Sequence, residues 1–368
     1  MQAASPAHIE AFLAGLGAGV SSGVFGAAPT TALVSSRLYG LDISLAQLHG
    51  LSHDFLVERR QHMAGVLGPD AYSTPGVDFV FFPIAESCAS TFIDRDQTTV
   101  FLSLGLVEAL RLAVASAQLT SAIARLEVDD AVRDALGAAG LTQAVERLRL
   151  MVQYFNASAV LHFKAPGRLP AAADLLDPVT KHRVGVLLEA VLMFLLLHEL
   201  GHVDSHRRAG ADAATPHLVW EFAVPENVDA AKDEEFYADA FALKAVPPAF
   251  ALPLVHAATF FLHLHNYVDA TSGAPPQLHP LCVSRIARLY ELARNDADAD
   301  AVGHAAVAAA LEAGVKAWTM PSGHFSLETL ARYADALSKV DWRPAQEALQ
   351  ALTDQQPGYG KEAHHAGA

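Results

Sequence analysis

Ala190-Val191-Leu192-Met193-Phe194-Leu195-Leu196-Leu197-His198-Glu199-Leu200-Gly201-His202 is an apolar run closed by a short polar signature. The run extends back to Val186 with one interruption, Glu189. Such a stretch predicts a buried helix. Residues four apart on a helix stand one turn above each other. His198 and His202 therefore present two imidazoles to one point, which is what a zinc ion (Zn2+) takes from its first two protein ligands. Glu199 lies beside that point, placed to accept a proton from a water activated there. Gly201, lacking a side chain, is expected to leave the substrate side uncrowded.

A catalytic zinc usually takes a third protein ligand and keeps one position open. Glu234-Glu235-Phe236-Tyr237-Ala238-Asp239 is the strongest source, with Glu235 lying 33 residues beyond His202. On a helix Glu235 and Asp239 share a face, so Glu235 could bind the ion while Asp239 orients a ligand imidazole. His206, Glu221 and Glu226 are rival third ligands. Ser205 and Arg208 stand where a metzincin extension needs Gly and His. His256, His263 and His265 lie on an apolar helix and read as residues of that helix's faces, not as a second metal site.

Composition narrows the class. The chain has 368 residues, 52% apolar and 18% charged, with a net charge of −15. That describes a globular chain with a large core. No Lys/Arg cluster is present, which excludes phosphate-neutralising binding to nucleic acid and attraction to anionic membranes. Two cysteines, Cys88 and Cys282, suit a reducing compartment, and a cytoplasmic location is the expectation. Glu189 shortens the run before His198 below the ~20 apolar residues of a membrane span, so none is expected. Glycines at 15, 17, 19, 23 and 26 lack the G-K-[ST] of a phosphate loop.

Periodicity predicts an α+β fold, mostly helical, with a small β-sheet. Val77–Pro83 and Thr98–Ser103 read as strands, joined through a polar turn at Asp94–Gln97. Helices are expected at Ile43–Met63, from Leu104, at Leu119–Leu136 and at Leu141–Tyr154, the last two broken at Gly137–Gly140. Ala157–Phe163 reads as a further strand, with a helix extension as the close alternative. Asp177 is the expected N-cap of the motif's helix, with Pro178 at its first position. Further helices are expected at Asp233–Val246, Leu252–Tyr267, His279–Arg294, Ala301–Val315 and Ser326–Val340, before a polar tail from Gly358. This divides the chain into an N-terminal helical segment (1–70), a core (71–295) with a helical insertion at about 105–176, and C-terminal helices with the tail (296–368).

HELGH followed by EFYAD resembles the gluzincin zinc metallopeptidases. His279-Pro280 with Arg285-Ile286 is similar to the H-P-x-x-x-x-R-I pattern of the CAAX-prenyl-protease-like group. Thr99-Val-Phe-Leu-Ser-Leu-Gly-Leu resembles the strand and helix start that precede HExxH there. These motifs span Thr98 to Leu289, about half the chain. A more distant likeness is to the phage-exclusion peptidases.

The resemblance implies a zincin-like core and a zinc endopeptidase acting on protein or peptide substrates. It implies ligands His198, His202 and Glu235, with Glu199 as general base. His279 would stabilise the oxyanion, and Arg285 would hold the active-site helices. Thr99, Val100, Phe101 and Leu102 would form an edge strand that pairs with an extended substrate. The alternatives are a catalytically silent scaffold that binds or regulates a partner, and a latent protease covered by segments such as Gly137–Pro170 and Ala209–Pro225.

Overall fold

The computed structural model describes residues 1–10, 44–82, 89–94, 97–164, 175–208, 217–219, 228–272, 282–295 and 327–354. Five strands among them are β1 (Gln2–Ala3), β2 (Val77–Phe82), β3 (Ala89–Asp94), β4 (Gln97–Ser103) and β5 (His217–Val219). The helices are α1 (Leu45–Leu67), α2 (Leu104–Val128), α3 (Asp130–Lys164), α4 (Pro178–Arg208), α5 (Val228–Lys244), α6 (Pro248–Ser272), α7 (Cys282–Asn295), α8 (Leu327–Ser338) and α9 (Arg343–Asp354). The fold is α+β and mostly helical, as the periodicity predicts.

Helix α4 carries the apolar run, and every residue from Val191 to Val203 on it is buried. Its N-terminus is capped as expected, with Asp177 Oδ1 accepting from the Val179 and Thr180 amides at 3.0 Å each. It packs against α2, α5 and α6 and lies on β3. A helix surrounded on all sides has no polar face to offer, hence its unbroken hydrophobicity. By length and composition α2 and α4 could each cross a membrane, but 78% of the most apolar window of α4 is buried inside the protein.

The sheet runs in the order β1-β2-β4-β3-β5. β1, β2 and β4 are parallel neighbours, whereas β3 runs antiparallel to both β4 and β5. Side chains alternate between faces along each strand. Phe79 and Phe81 project from one face of β2 and stack on Phe55 of α1, at ring separations of 5.3 and 4.8 Å. Thr91 and Val100 are register partners in line with Phe79. α1 and α4 therefore cover the same face side by side.

Several expectations need correction. β4 is an interior strand, hydrogen-bonded to β2 on one side and to β3 on the other. Thr99, Val100, Phe101 and Leu102 thus have no free backbone edge for a substrate, and all four are buried. The edge was misplaced because β3, Ala-Ser-Thr-Phe-Ile-Asp, went unrecognised beside the more apolar β4. Ala157–Phe163 is helical. The break expected at Gly137 is present, as a non-helical residue (φ 67°, ψ 162°) at which two helical halves of α3 meet. A further boundary lies at Asp129, which caps α2. α4 continues six residues past His202, to Arg208. Residues 301–315 and 358–368 lie outside the described residues, and α9 was not anticipated.

The two helices expected as an insertion pack on each other and join the core. α2 lies against α4, and α3 carries α8 and α9. One continuous cluster of buried side chains runs from Met1 through the α2–α3 pair to Leu352.

Candidate metal centre

His198 and His202 meet as helical spacing predicts, with their Nε2 atoms 3.1 Å apart and both rings buried. α5 brings Glu235 to the same point. Its carboxylate oxygens lie 3.5 Å from His198 Nε2 and 3.5 Å from His202 Nε2. Four tetrahedral ligands at about 2.0–2.1 Å from a zinc ion stand about 3.3–3.4 Å apart. The spacings of these three side chains fit that requirement, and their donor set of two imidazoles and a carboxylate is one that zinc accepts. An oxygen of Glu199 also falls within 4.8 Å of both imidazole nitrogens, so His198, Glu199 and His202 together could hold a metal ion.

The close approach of α4 and α5 depends on Gly201. A Cβ built there would lie 2.7 Å from the Ala238 Cα and 3.0 Å from its carbonyl oxygen. Gly201 therefore faces α5, not a substrate, which corrects the sequence reading. Tyr237 of α5 reinforces the pairing by donating a hydrogen bond to Asp204 of α4. Small residues on both helices let the carboxylate of one reach the imidazoles of the other.

Asp239 and Arg285 complete the surroundings. Arg285, on α7, donates from Nε and Nη2 to the two Asp239 oxygens at 2.8 Å each. Its Nη1 lies 2.8 Å from Glu235 Oε2. One guanidinium thus bridges both carboxylates and fixes their rotation. Asp239 Oδ1 stands 3.0 Å from His198 Nδ1. His202 Nδ1 has Glu234 Oε1 at 3.6 Å. Glu234 was not singled out from the sequence, although its place beside Glu235 was visible.

The electrostatics follow from burial and these partners. Burial disfavours charge on His198, but Asp239 and Glu235 outweigh it and raise its pKa to about 10. Burial also opposes ionisation of Glu235 and Asp239, yet Arg285 and His198 hold both carboxyls below their ordinary range. Glu199 is different: burial pushes its pKa up, only partly offset by the two imidazoles and by Thr91.

Thr91 of β3 is a further residue at the site. Its hydroxyl lies 2.8 Å from Glu199 Oε2 and 3.1 Å from the Glu199 carbonyl oxygen. His279, Glu221 and Glu226 lie outside the described residues. His206 follows on α4 but does not join the cluster of possible ligands, and His256 instead meets the Tyr290 hydroxyl at 3.1 Å. No second group of possible metal ligands is found among the described residues. Set against known proteins, the chain matches no family profile, no curated protein and no solved structure.

Proposed function

We propose that the chain is a zinc-dependent endopeptidase with a zincin-like core, in which His198, His202 and Glu235 hold the metal. The observation that carries this reading is the arrival of Glu235, from a separate helix, within 3.5 Å of both imidazoles. Helical spacing alone explains two neighbouring histidines, but not a third donor aimed at the same point. Glu235 is preferred over Glu199 as ligand because Thr91 engages Glu199 and because Arg285 already orients Glu235.

Zinc, when bound, supplies the Lewis acidity that activates a water and polarises a peptide carbonyl. Glu199 then takes the proton of the attacking water and hands it to the leaving amine nitrogen. Arg285 and Asp239 hold Glu235 and His198 in place. His279 is proposed to donate to the oxyanion.

Metal content and hydrolysis separate the roles. The protein purified without added metal should carry near one zinc per chain. Glu235→Ala should lose most of it, and Glu199→Gln should keep it while losing hydrolysis of unfolded protein substrates. Retained activity in Glu199→Gln would remove this mechanism; a parent that neither contains nor takes up zinc would favour a silent binding scaffold.

A further inference from the structure

We propose that Thr91 is a positioning residue for Glu199, holding one carboxylate oxygen so that the other faces the water. The inference rests on the peptidase reading above and adds to it a residue from a strand that the HExxH signature does not include.

Thr91 is fully buried at the middle of β3, on the sheet face that α4 covers. Buried hydroxyls are ordinarily satisfied by backbone of their own strand or a neighbouring helix. This one reaches two acceptors of a single residue, the Glu199 side chain at 2.8 Å and the Glu199 backbone at 3.1 Å. Its single proton is shared between them, or moves from one to the other.

The consequence follows from the carboxyl's two oxygens. Oε2 accepts from Thr91, which leaves Oε1 to meet the water and take its proton. In the neutral acid so formed, Oε2 is the carbonyl oxygen and still accepts from the hydroxyl. The Thr91 bond therefore survives the proton transfer in both directions. Rotation of the carboxyl, which would turn Oε1 away, breaks that bond inside a buried site, where an unmade hydrogen bond is costly. The backbone contact ties β3 to the same turn of α4, so strand and base keep a constant separation.

Thr91→Val keeps the side-chain shape and removes the hydroxyl; Thr91→Ser keeps the hydroxyl. Partners that orient a metal site's functional groups are typically worth about 10–100-fold, and kcat of zinc-loaded Thr91→Val is expected to fall by that much. KM and zinc per chain should stay at parent values, and Thr91→Ser should recover most of the rate. A second readout needs neither metal nor turnover. The difference infrared spectrum of zinc-free parent against Glu199→Gln isolates the Glu199 carboxyl band, which should shift in Thr91→Val and return in Thr91→Ser.

Unchanged kcat and an unmoved band in Thr91→Val overturn the proposal. So does loss of zinc or folding that Thr91→Ser fails to restore, since Thr91 would then be structural. A zinc-loaded parent that cleaves nothing, with the band still responding to Thr91→Val, overturns the peptidase reading instead and removes the catalytic role while leaving the contact.

Discussion

At the residue scale, Gly201 and Arg285 carry the most weight per atom. Ala238 backbone fills the space a Gly201 side chain would need, so Gly201→Ala must push α4 and α5 apart. Overpacking of this kind costs about 1–3 kcal/mol, and the thermal midpoint should fall accordingly. Zinc affinity should fall with it, because the displaced helix carries Glu235. Arg285→Met leaves Asp239 and Glu235 buried without their cation. Breaking one side of a buried ion pair costs about 3–5 kcal/mol, readable as a lower denaturant midpoint. Substitution without measurable loss would mean that solvent already reaches this cluster. The pairs His198 with His202 and Glu235 with Asp239 were legible because helical spacing converts directly into shared faces, whereas the meeting of the two helices is a packing result that spacing does not encode. Thr91 was not, because a hydroxyl residue in a strand carries no spacing signal toward a helix 108 residues away.

At the scale of elements, legibility tracked how local the determining interactions are. Asp177 announced the start of α4, and the structure shows its side chain on two amides. An N-cap of this type is worth about 1 kcal/mol, the loss expected in Asp177→Ala. The cap lies about six turns from His198, so zinc per chain should stay unchanged in that variant. A drop in zinc there would mean that fraying propagates along the whole helix. Strand order was harder. β4 is one of the two best strands by composition, and its role as a substrate-binding edge was implied by the resemblance alone. Composition reports burial, and a strand covered on both faces and both edges is the most apolar of all. β3, with Thr91 facing α4 and a shorter apolar run, was hidden by the same logic. Gly137 was easier: it breaks the helical backbone (φ 67°, ψ 162°) where its sequence said it would, and both halves of α3 flank it.

For the whole molecule, the charges buried around the centre link metal, protons and stability. In the zinc-free protein His198 has a pKa raised to about 10 by its carboxylate neighbours, against an ordinary value of 6.5. A raised folded-state pKa contributes stability that is fully present below about pH 6.5 and is lost as pH rises toward 10. Asp239, held low by Arg285, acts in the opposite sense: its contribution is present above about pH 4 and is lost as acid protonates it. The zinc-free protein should therefore lose stability on both flanks. A metal ion held as proposed would take the place of the His198 proton, so uptake near pH 7 should release at least one proton. Calorimetric titrations in buffers of different ionisation enthalpy measure that release directly. The same linkage requires the gain in thermal midpoint on adding zinc to grow between pH 6.5 and 9, as the proton it displaces becomes easier to remove. A pH-independent gain with no proton release would place zinc away from His198, and the three-ligand centre would have to be abandoned even if the protein bound metal tightly.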